Sequence, residues 1–199
     1  LVTAGPTREY IDPIRYISNE SSGKQGYEIA IALNKLGIKT TLITGPSKQV
    51  SPKGINVKKI ISADDMFKEV KKILPVDLAV CTAAVTDFKP AEKSKNKIKK
   101  DKLNFKSINF IKNYDILNFL SKNNKNRPQI VAGFSAETKN VIKNSTQKMK
   151  SKNCDLIFAN DVSKKGIGFN SDFNEISMID QKGNIKIIPK NKKSFIANK

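Results

Sequence analysis

Short apolar runs alternate with amphipathic stretches along most of this chain, and that alternation limits its fold more than any other feature. Residues 1–4, 38–44, 55–61, 76–81, 130–134 and 155–159 read as strands, and a short alternating strand is expected at 103–108. Residues 22–36, 62–74, 115–122 and 137–152 carry helical spacing. Gly37 closes the first of these helices. Ser62 opens the second, with Asp64 and Asp65 in its first turn, where a hydroxyl accepts free N–H groups and acids suit the helix dipole. The run at 76–81 has the apolar character of a strand at the middle of a parallel sheet. Alternating βα units predict a doubly wound, mostly parallel sheet with its ligands at the carboxyl ends of the strands. The end of the chain differs: residues 175–179 and 185–188, joined by Gln181-Lys182-Gly183-Asn184, predict an antiparallel hairpin. Residues 89–102 are polar and lysine-rich, with no face to bury, and read as a mobile loop or flap. With no repeat and no linker, residues 1–199 read as a single domain, and 199 residues suffice for a real core.

Small and polar residues collect where the predicted strands end. Gly5-Pro6-Thr7 follows the first strand, Gly45-Pro46 the second and Ala83-Ala84-Val85-Thr86-Asp87 the run at 76–81; Ser135-Ala136-Glu137-Thr138 and Asn160-Asp161-Val162 follow later ones. Such residues let a ligand approach the backbone, and Asp87, Glu137 and Asp161 could bind a cation or a ribose, although Asp and Asn also end strands for purely local reasons. Ser21-Ser22-Gly23 stands just before the first helix. A helix that starts on small residues presents free N–H groups to an anion, so a phosphate or carboxylate fits there, as does a capped helix without any ligand. The dinucleotide fingerprint GxGxxG is absent.

Composition narrows the chemistry. There is no histidine, so Ser-His triads and His-ligated metals are excluded; carboxylates, amides, lysines and a borrowed cation remain. Cys81 and Cys154 lie in apolar runs, which suits buried thiols in a reducing cytoplasm, and two are too few for a metal site. The net charge of +19 invites a nucleic-acid reading, but only Arg8, Arg15 and Arg127 are arginine among 37 basic residues. The lysines are scattered among asparagines rather than gathered on one face. Tryptophan is absent and the aromatics fall mostly in apolar runs, so stacking platforms for RNA are missing too. No run approaches the roughly 20 apolar residues that span a bilayer, and no signal-peptide pattern is present. The missing initiator Met points to a piece of a longer chain.

Taken together, several segments resemble the phosphopantothenate–cysteine ligase family, the synthetase half of a bifunctional bacterial coenzyme A enzyme. They are Thr3-Ala4-Gly5-Pro6-Thr7-Arg8-Glu9, Asp12-Pro13-Ile14-Arg15-Tyr16-Ile17-Ser18-Asn19, Ser21-Ser22-Gly23-Lys24, Ala83-Ala84-Val85-Thr86-Asp87-Phe88, Lys97-Ile98-Lys99-Lys100, Gly133-Phe134-Ser135-Ala136-Glu137-Thr138 and Ala159-Asn160-Asp161-Val162. They run in family order along nearly the whole chain. The resemblance implies a Rossmann-like α/β fold, a homodimer, and a cytoplasmic ligase that uses Mg²⁺ with CTP as co-substrate. In that reaction CTP activates the carboxylate of 4′-phosphopantothenate as an acyl-cytidylate with loss of pyrophosphate. The amine of L-cysteine then displaces CMP to form an amide. The N-terminal flavin-dependent decarboxylase half of such enzymes lies outside this sequence, so neither FMN nor decarboxylation is assigned to it.

Residue roles follow from the same resemblance. Asn19 matches an asparagine that handles the acyl-cytidylate, where an amide N–H₂ suits the charge developing on the acyl oxygen. Arg15 and Ala84 match contacts to the acyl intermediate. Cys81, Thr82, Ala83, Asp87, Lys97, Asn113, Tyr114, Asp115, Ile116, Phe134, Lys148 and Lys152 match nucleotide-binding positions. Lys97, Lys99 and Lys100 form a Lys-x-Lys-Lys flap of the bacterial, CTP-using type, and its place after Asp87 identifies it better than its composition. The protein ligands of the metal are not implied. Tyr114 stands where the bacterial pattern usually has proline, which is expected to loosen that turn. A nicotinamide-dependent reductase is the competing reading on the same architecture; it needs a glycine-rich fingerprint and a Tyr-x-x-x-Lys pair, and the sequence offers neither.

Overall fold

The computed structural model describes residues 1–99, 107–122, 125–169 and 171–199. Its main sheet contains β1 (Val2–Ala4), β4 (Thr41–Thr44), β5 (Asn56–Lys59), β6 (Leu78–Cys81), β9 (Ile130–Glu137), β10 (Leu156–Asp161), β11 (Phe173–Asp180) and β12 (Ile185–Lys192). Two small antiparallel hairpins stand apart from it, β2 (Arg8–Tyr10) with β3 (Tyr16–Ser18) and β7 (Phe88–Pro90) with β8 (Phe110–Lys112). The order across the main sheet is β12-β11-β10-β9-β6-β1-β4-β5. The six strands from β10 to β5 are parallel, and β11 and β12 add an antiparallel edge. This is the doubly wound arrangement that the alternation predicts. From β1 the chain winds outward to β4 and β5, then returns to β6 and winds the other way. The switch therefore falls between β1 and β6, where connections leave in opposite directions and open a crevice at the strand ends.

Alternating side chains of the central strands feed two layers. Ile43, Ala79, Val131 and Ile157 face Met66 and Val70 of α2 (Ala63–Ile73), Leu117 and Leu120 of α3 (Ile116–Lys122) and Met149 of α4 (Val141–Lys152). Val2, Ala4, Leu42, Val80 and Ala132 face Tyr27 and Ala30 of α1 (Lys24–Lys35). A third cluster joins Ile176 and Ile188 to Ile196 of α5 (Lys193–Ala197), which packs beside α1.

Local chemistry sets the helix starts. Ser62 Oγ accepts from Asp65 N at 3.2 Å while Asp65 Oδ2 accepts from Ser62 N at 3.0 Å, a full capping box. The buried Glu9 adds a second cap, accepting from Ala63 N at 2.9 Å. The start of α1 is built differently. Gly23 is its N-cap with φ 76°, a left-handed conformation that side chains with a Cβ resist, and in place of a cap from that residue Ser22 Oγ accepts from Lys24 N at 3.4 Å.

Several boundaries depart from the expected ones. β9 continues through Ser135, Ala136 and Glu137, and β10 through Asn160 and Asp161, because the two strands keep pairing in register to Asp161–Glu137. The α4 helix consequently begins at Val141 and not at Glu137. Lys89 and Pro90, expected in the flap, pair with β8. The strand expected at 103–108 falls mainly outside the described residues; 107 and 108 are not in a strand, and the pairing segment is Phe110–Lys112. The hairpin β2–β3 and the helix α5 were not expected, being too short to show a period.

Candidate active site

Two adjoining cavities, of about 490 Å³ and 590 Å³, occupy the switch point, a size that suits a small-molecule site. The loop after β6 forms their common floor, and the loop after β1 backs it from beneath. Thr82 Oγ1 donates to Thr3 O at 2.6 Å, Ala84 N to Gly5 O at 2.9 Å and Thr7 N to Ala84 O at 3.4 Å, so the two loops are stitched together where the strands diverge. The buried Thr7 and Thr86 hydroxyls lie 3.2 Å apart, and Thr86 Oγ1 donates to Glu9 Oε1 at 3.3 Å. The same Glu9 caps α2, which ties the rim of the site to a helix start.

The first cavity lies between Asn19, the start of α1 at Ser22–Gly26, the 82–85 loop and the turn at Gly168 and Phe169. Asn19 Nδ2 donates to Val85 O at 3.0 Å, which holds its amide beside Ala83 and Ala84. The second cavity is walled by Cys81, Asp87, the segment 113–116, Lys148 and Lys152. Ala83, Val85, Asp87, Phe134 and Lys148 border both. Lys148 Nζ donates to Phe134 O at 2.9 Å, and Lys152 pairs with Asp115 at 2.5 Å, so one α4 lysine faces the floor and the next, one turn on, joins the far wall. Asn113 donates its side-chain N–H₂ to Thr86 O at 2.8 Å, while its buried Oδ1 has no partner. Tyr114 does not loosen its turn. Its ring stacks on Phe67 with centroids 4.3 Å apart, and Asn113 N donates to Asp87 O at 2.8 Å.

The residues assigned roles by the resemblance therefore converge, with three exceptions among those described. Arg15, Lys97 and Lys99 border neither cavity, and Lys100 lies outside the described residues. Of the three rim carboxylates, Asp87 alone borders the cavities. Glu137 accepts from Ser135 Oγ at 2.7 Å and Asn144 Nδ2 at 3.2 Å, and Asp161 accepts from Ser163 Oγ at 2.6 Å, both turned to local partners by the longer strands. Burial raises the Cys81 thiol to about 12 and the Cys154 thiol to about 11, so neither is a nucleophile near neutral pH. The structure also adds Phe169, Asn174 and Lys193 to the first cavity. Phe169 lies in the segment Gly168-Phe169-Asn170-Ser171-Asp172, to which the resemblance extends, but nothing in the sequence marks Asn174 or Lys193: Lys193 is one lysine in a lysine-rich tail, and only α5 packing beside α1 brings it inward.

The family model described as DNA/pantothenate metabolism flavoprotein C-terminal domain matches residues 1–199. The chain belongs to this family. It is 43% identical over 199 residues to the Coenzyme A biosynthesis bifunctional protein CoaBC of Borreliella burgdorferi, covering 99% of this chain and 50% of that protein. The chain thus spans about half the length of the curated relatives it matches. The crystal structure of the C-terminal domain of a Coenzyme A biosynthesis bifunctional protein CoaBC aligns with TM-score 0.80 at 34% identity, over 98% of this chain and 87% of that one. A Cab2 mutant solved in complex with phosphopantothenate-cysteine shares the fold at TM-score 0.74 and 13% identity, over 98% of this chain and 82% of that one.

In this member of the DNA/pantothenate metabolism flavoprotein C-terminal domain family, the flap segment is tied to the first hairpin through Asp12. Its buried carboxylate accepts from Ile14 N and Arg15 N at 2.8 Å each and from Ile98 N at 3.3 Å, and it lies 3.4 Å from Arg15 Nη1. Arg15 Nη2 in turn donates to Ile98 O at 3.2 Å. Burial pushes this carboxyl up, but the three N–H groups and the guanidinium outweigh it and hold the group below its usual range. Because its folded-state value is depressed, its contribution is present above the ordinary aspartate range and fades as pH falls through the lowered value. Asp12→Asn is expected to free the segment between Lys97 and Lys99, which limited proteolysis at neutral pH would read as roughly tenfold faster cleavage there. The difference from the parent chain should shrink in acid; equal cleavage at neutral pH would exclude the tether.

Proposed function

We propose that this chain joins 4′-phosphopantothenate to L-cysteine in the cytoplasm, using CTP to activate the carboxylate, as one step of coenzyme A biosynthesis. The observation that carries this reading is the pair of cavities meeting at the switch point, with Asn19 at one side and the 113–116 segment with Lys148 at the other. One cavity suits the acyl group and phosphates beside the start of α1, and the other suits the base and ribose. Relatives named for coenzyme A biosynthesis, and Cab2 with its phosphopantothenate-cysteine, support the same substrates.

The chemistry needs positioning and charge neutralisation more than a strong base. A carboxylate oxygen of phosphopantothenate attacks the α-phosphorus of CTP, and the bond to the bridging oxygen breaks as pyrophosphate leaves. The cysteine amine then attacks the acyl carbon, the carbon–oxygen bond to CMP breaks, and a proton leaves the nitrogen as the amide forms. An α-amine with an ordinary pKa near 8 is partly neutral at physiological pH, which removes the need for histidine. Asn19, held by Val85 O, directs its remaining N–H toward the acyl oxygen on which charge builds. Lys148 and the flap lysines Lys97, Lys99 and Lys100 offset the phosphate charge.

Among the described residues no group of three or more His, Cys, Asp or Glu is placed to hold a metal, a donor set that fits Mg²⁺ arriving on the nucleotide rather than in a protein cage. Asp87 is the carboxylate bordering both cavities and would help hold it, and the ion would supply charge neutralisation at the phosphates. A homodimer accounts for Arg15, Lys97 and Lys99, which border neither cavity of their own chain. The exposed apolar side chains of the two hairpins, Ile14, Tyr16, Phe88, Phe110 and Ile111, are the surface it would cover. No helix among the described residues is long and apolar enough to cross a membrane.

Pyrophosphate release measured with each of the four nucleoside triphosphates, with and without phosphopantothenate, tests the reading. The expected result is release only when CTP and phosphopantothenate are both present. Equal turnover with ATP would overturn the choice of CTP, and no release with any nucleotide would overturn the ligase.

A further inference from the structure

The helix α5 opens on a lysine that is out of place by ordinary rules. Lys193 is 3% exposed, yet it carries an ammonium group. A buried charge needs compensation, and Lys193 finds only dipoles: Nζ donates to Gly168 O at 2.7 Å and Phe169 O at 3.4 Å. The nearby Asp172 carboxylate is taken by Lys24 at 2.5 Å. An ammonium has three N–H donors, so one is left after the two carbonyls.

Its surroundings favour an anion. Lys193 borders the first cavity together with Ser22, Gly23 and Lys24 at the start of α1, where the helix dipole is positive and the N-cap Gly23 has no side chain of its own. Ser22 Oγ donates to Phe169 O at 2.9 Å, so Ser22 and Lys193 hold the 168–169 turn from two sides. The same wall contains Asn160, 8% exposed, whose buried Oδ1 has no hydrogen-bond partner; being an acceptor it would meet a donor group of a ligand, not the phosphate, which falls to Lys193. Burial, then the charge of Lys24, lower the Lys193 ammonium to about 8, with Asp172 pulling the other way. A second negative charge beside it would relieve both effects.

We propose that Lys193 grips the pyrophosphate leaving group of the nucleotide: two of its N–H groups pin the 168–169 turn and the third meets the terminal phosphates. The inference rests on the ligase reading for its substrate. As the bond from the α-phosphorus to the bridging oxygen breaks, the electron pair stays with that oxygen, and the fixed ammonium stabilises the growing charge without giving up its proton. The 168–169 turn is thereby a support for a phosphate-binding cation.

Lys193→Gln keeps a donor for the turn but removes the charge, Lys193→Met removes both, and Lys193→Arg keeps the charge. Binding of magnesium pyrophosphate and of CMP to each folded full-length variant separates a charge role from a structural one. The expected result is pyrophosphate affinity at least about tenfold weaker in Lys193→Gln and Lys193→Met, with CMP affinity within about twofold of the parent and much of the pyrophosphate affinity retained by Lys193→Arg. The KM for CTP should rise in parallel in the uncharged variants. Parent-like pyrophosphate binding by Lys193→Gln, or an equal loss for CMP, would overturn the proposal. Should the parent chain bind pyrophosphate through Lys193 yet release none from CTP, the ligase reading fails and the anion site stands.

Discussion

Asn19→Ala is expected to slow amide formation about 10²- to 10³-fold, the usual cost of losing one donor aimed at an oxyanion. CTP binding should stay within a few-fold of the parent. The reason lies in how Asn19 is held. One N–H of its amide is spent on Val85 O, a carbonyl of the loop that also carries Ala83 and Ala84, and the other is left for the substrate. Alanine removes both the donor and the contact that orients it, yet leaves the 113–116 segment and Lys148 untouched on the other side. Single-turnover experiments should therefore show the activated acid accumulating, or decaying by hydrolysis, before the amide forms. Near-normal amide synthesis would remove Asn19 from the catalytic machinery.

Gly45→Ala should be the most damaging single change to the fold, costing more than about 3 kcal/mol in a urea titration. The effect is steric. The φ of Gly45 lies outside the left-handed region, so the backbone itself would accept alanine, but a Cβ there would sit 1.7 Å from Pro6 O. Pro6 is not free to retreat. It bridges to Ala84, and the neighbouring Gly5 accepts from Ala84 N at 2.9 Å, so moving it separates the loop after β1 from the β6 loop that floors both cavities. Pyrophosphate release should fall with stability, because the switch-point crevice depends on that contact. A variant within about 1 kcal/mol of the parent would mean that the loops can part cheaply.

The sequence carries the βα alternation, the capped start of α2 and the hairpin β11–β12 because each is a local pattern: apolar period, a Ser-x-x-Asp box, a turn with Gly183. The site is legible only in part, and for a physical reason. Asn19, Ala84, Asp87 and Asn113 sit at strand ends or in loops, where residue type reports on ligand chemistry, and they meet Phe134 of β9 at one crevice. The full lengths of β9 and β10 are hidden in the sequence because polar Ser135 and Asn160 look like loop residues, while their backbones remain paired in register through Asp161. Lys193 could not be distinguished from its neighbours Lys190 and Lys192, since its burial is decided by packing against α1 and not by anything adjacent in the chain. Arg15, Lys97 and Lys99 were readable as a group yet lie away from the cavities, tethered to one another through Asp12 and Ile98.

The most direct test follows oxygen. With both carboxylate oxygens of phosphopantothenate labelled as ¹⁸O, incubation with CTP and cysteine should deliver one labelled oxygen into the phosphate of CMP. That oxygen is the one that attacked phosphorus and was left behind when the amine took the acyl carbon. Labelled CMP is the result predicted here. Unlabelled CMP, or label in pyrophosphate, would mean that the acid and the nucleotide were never joined.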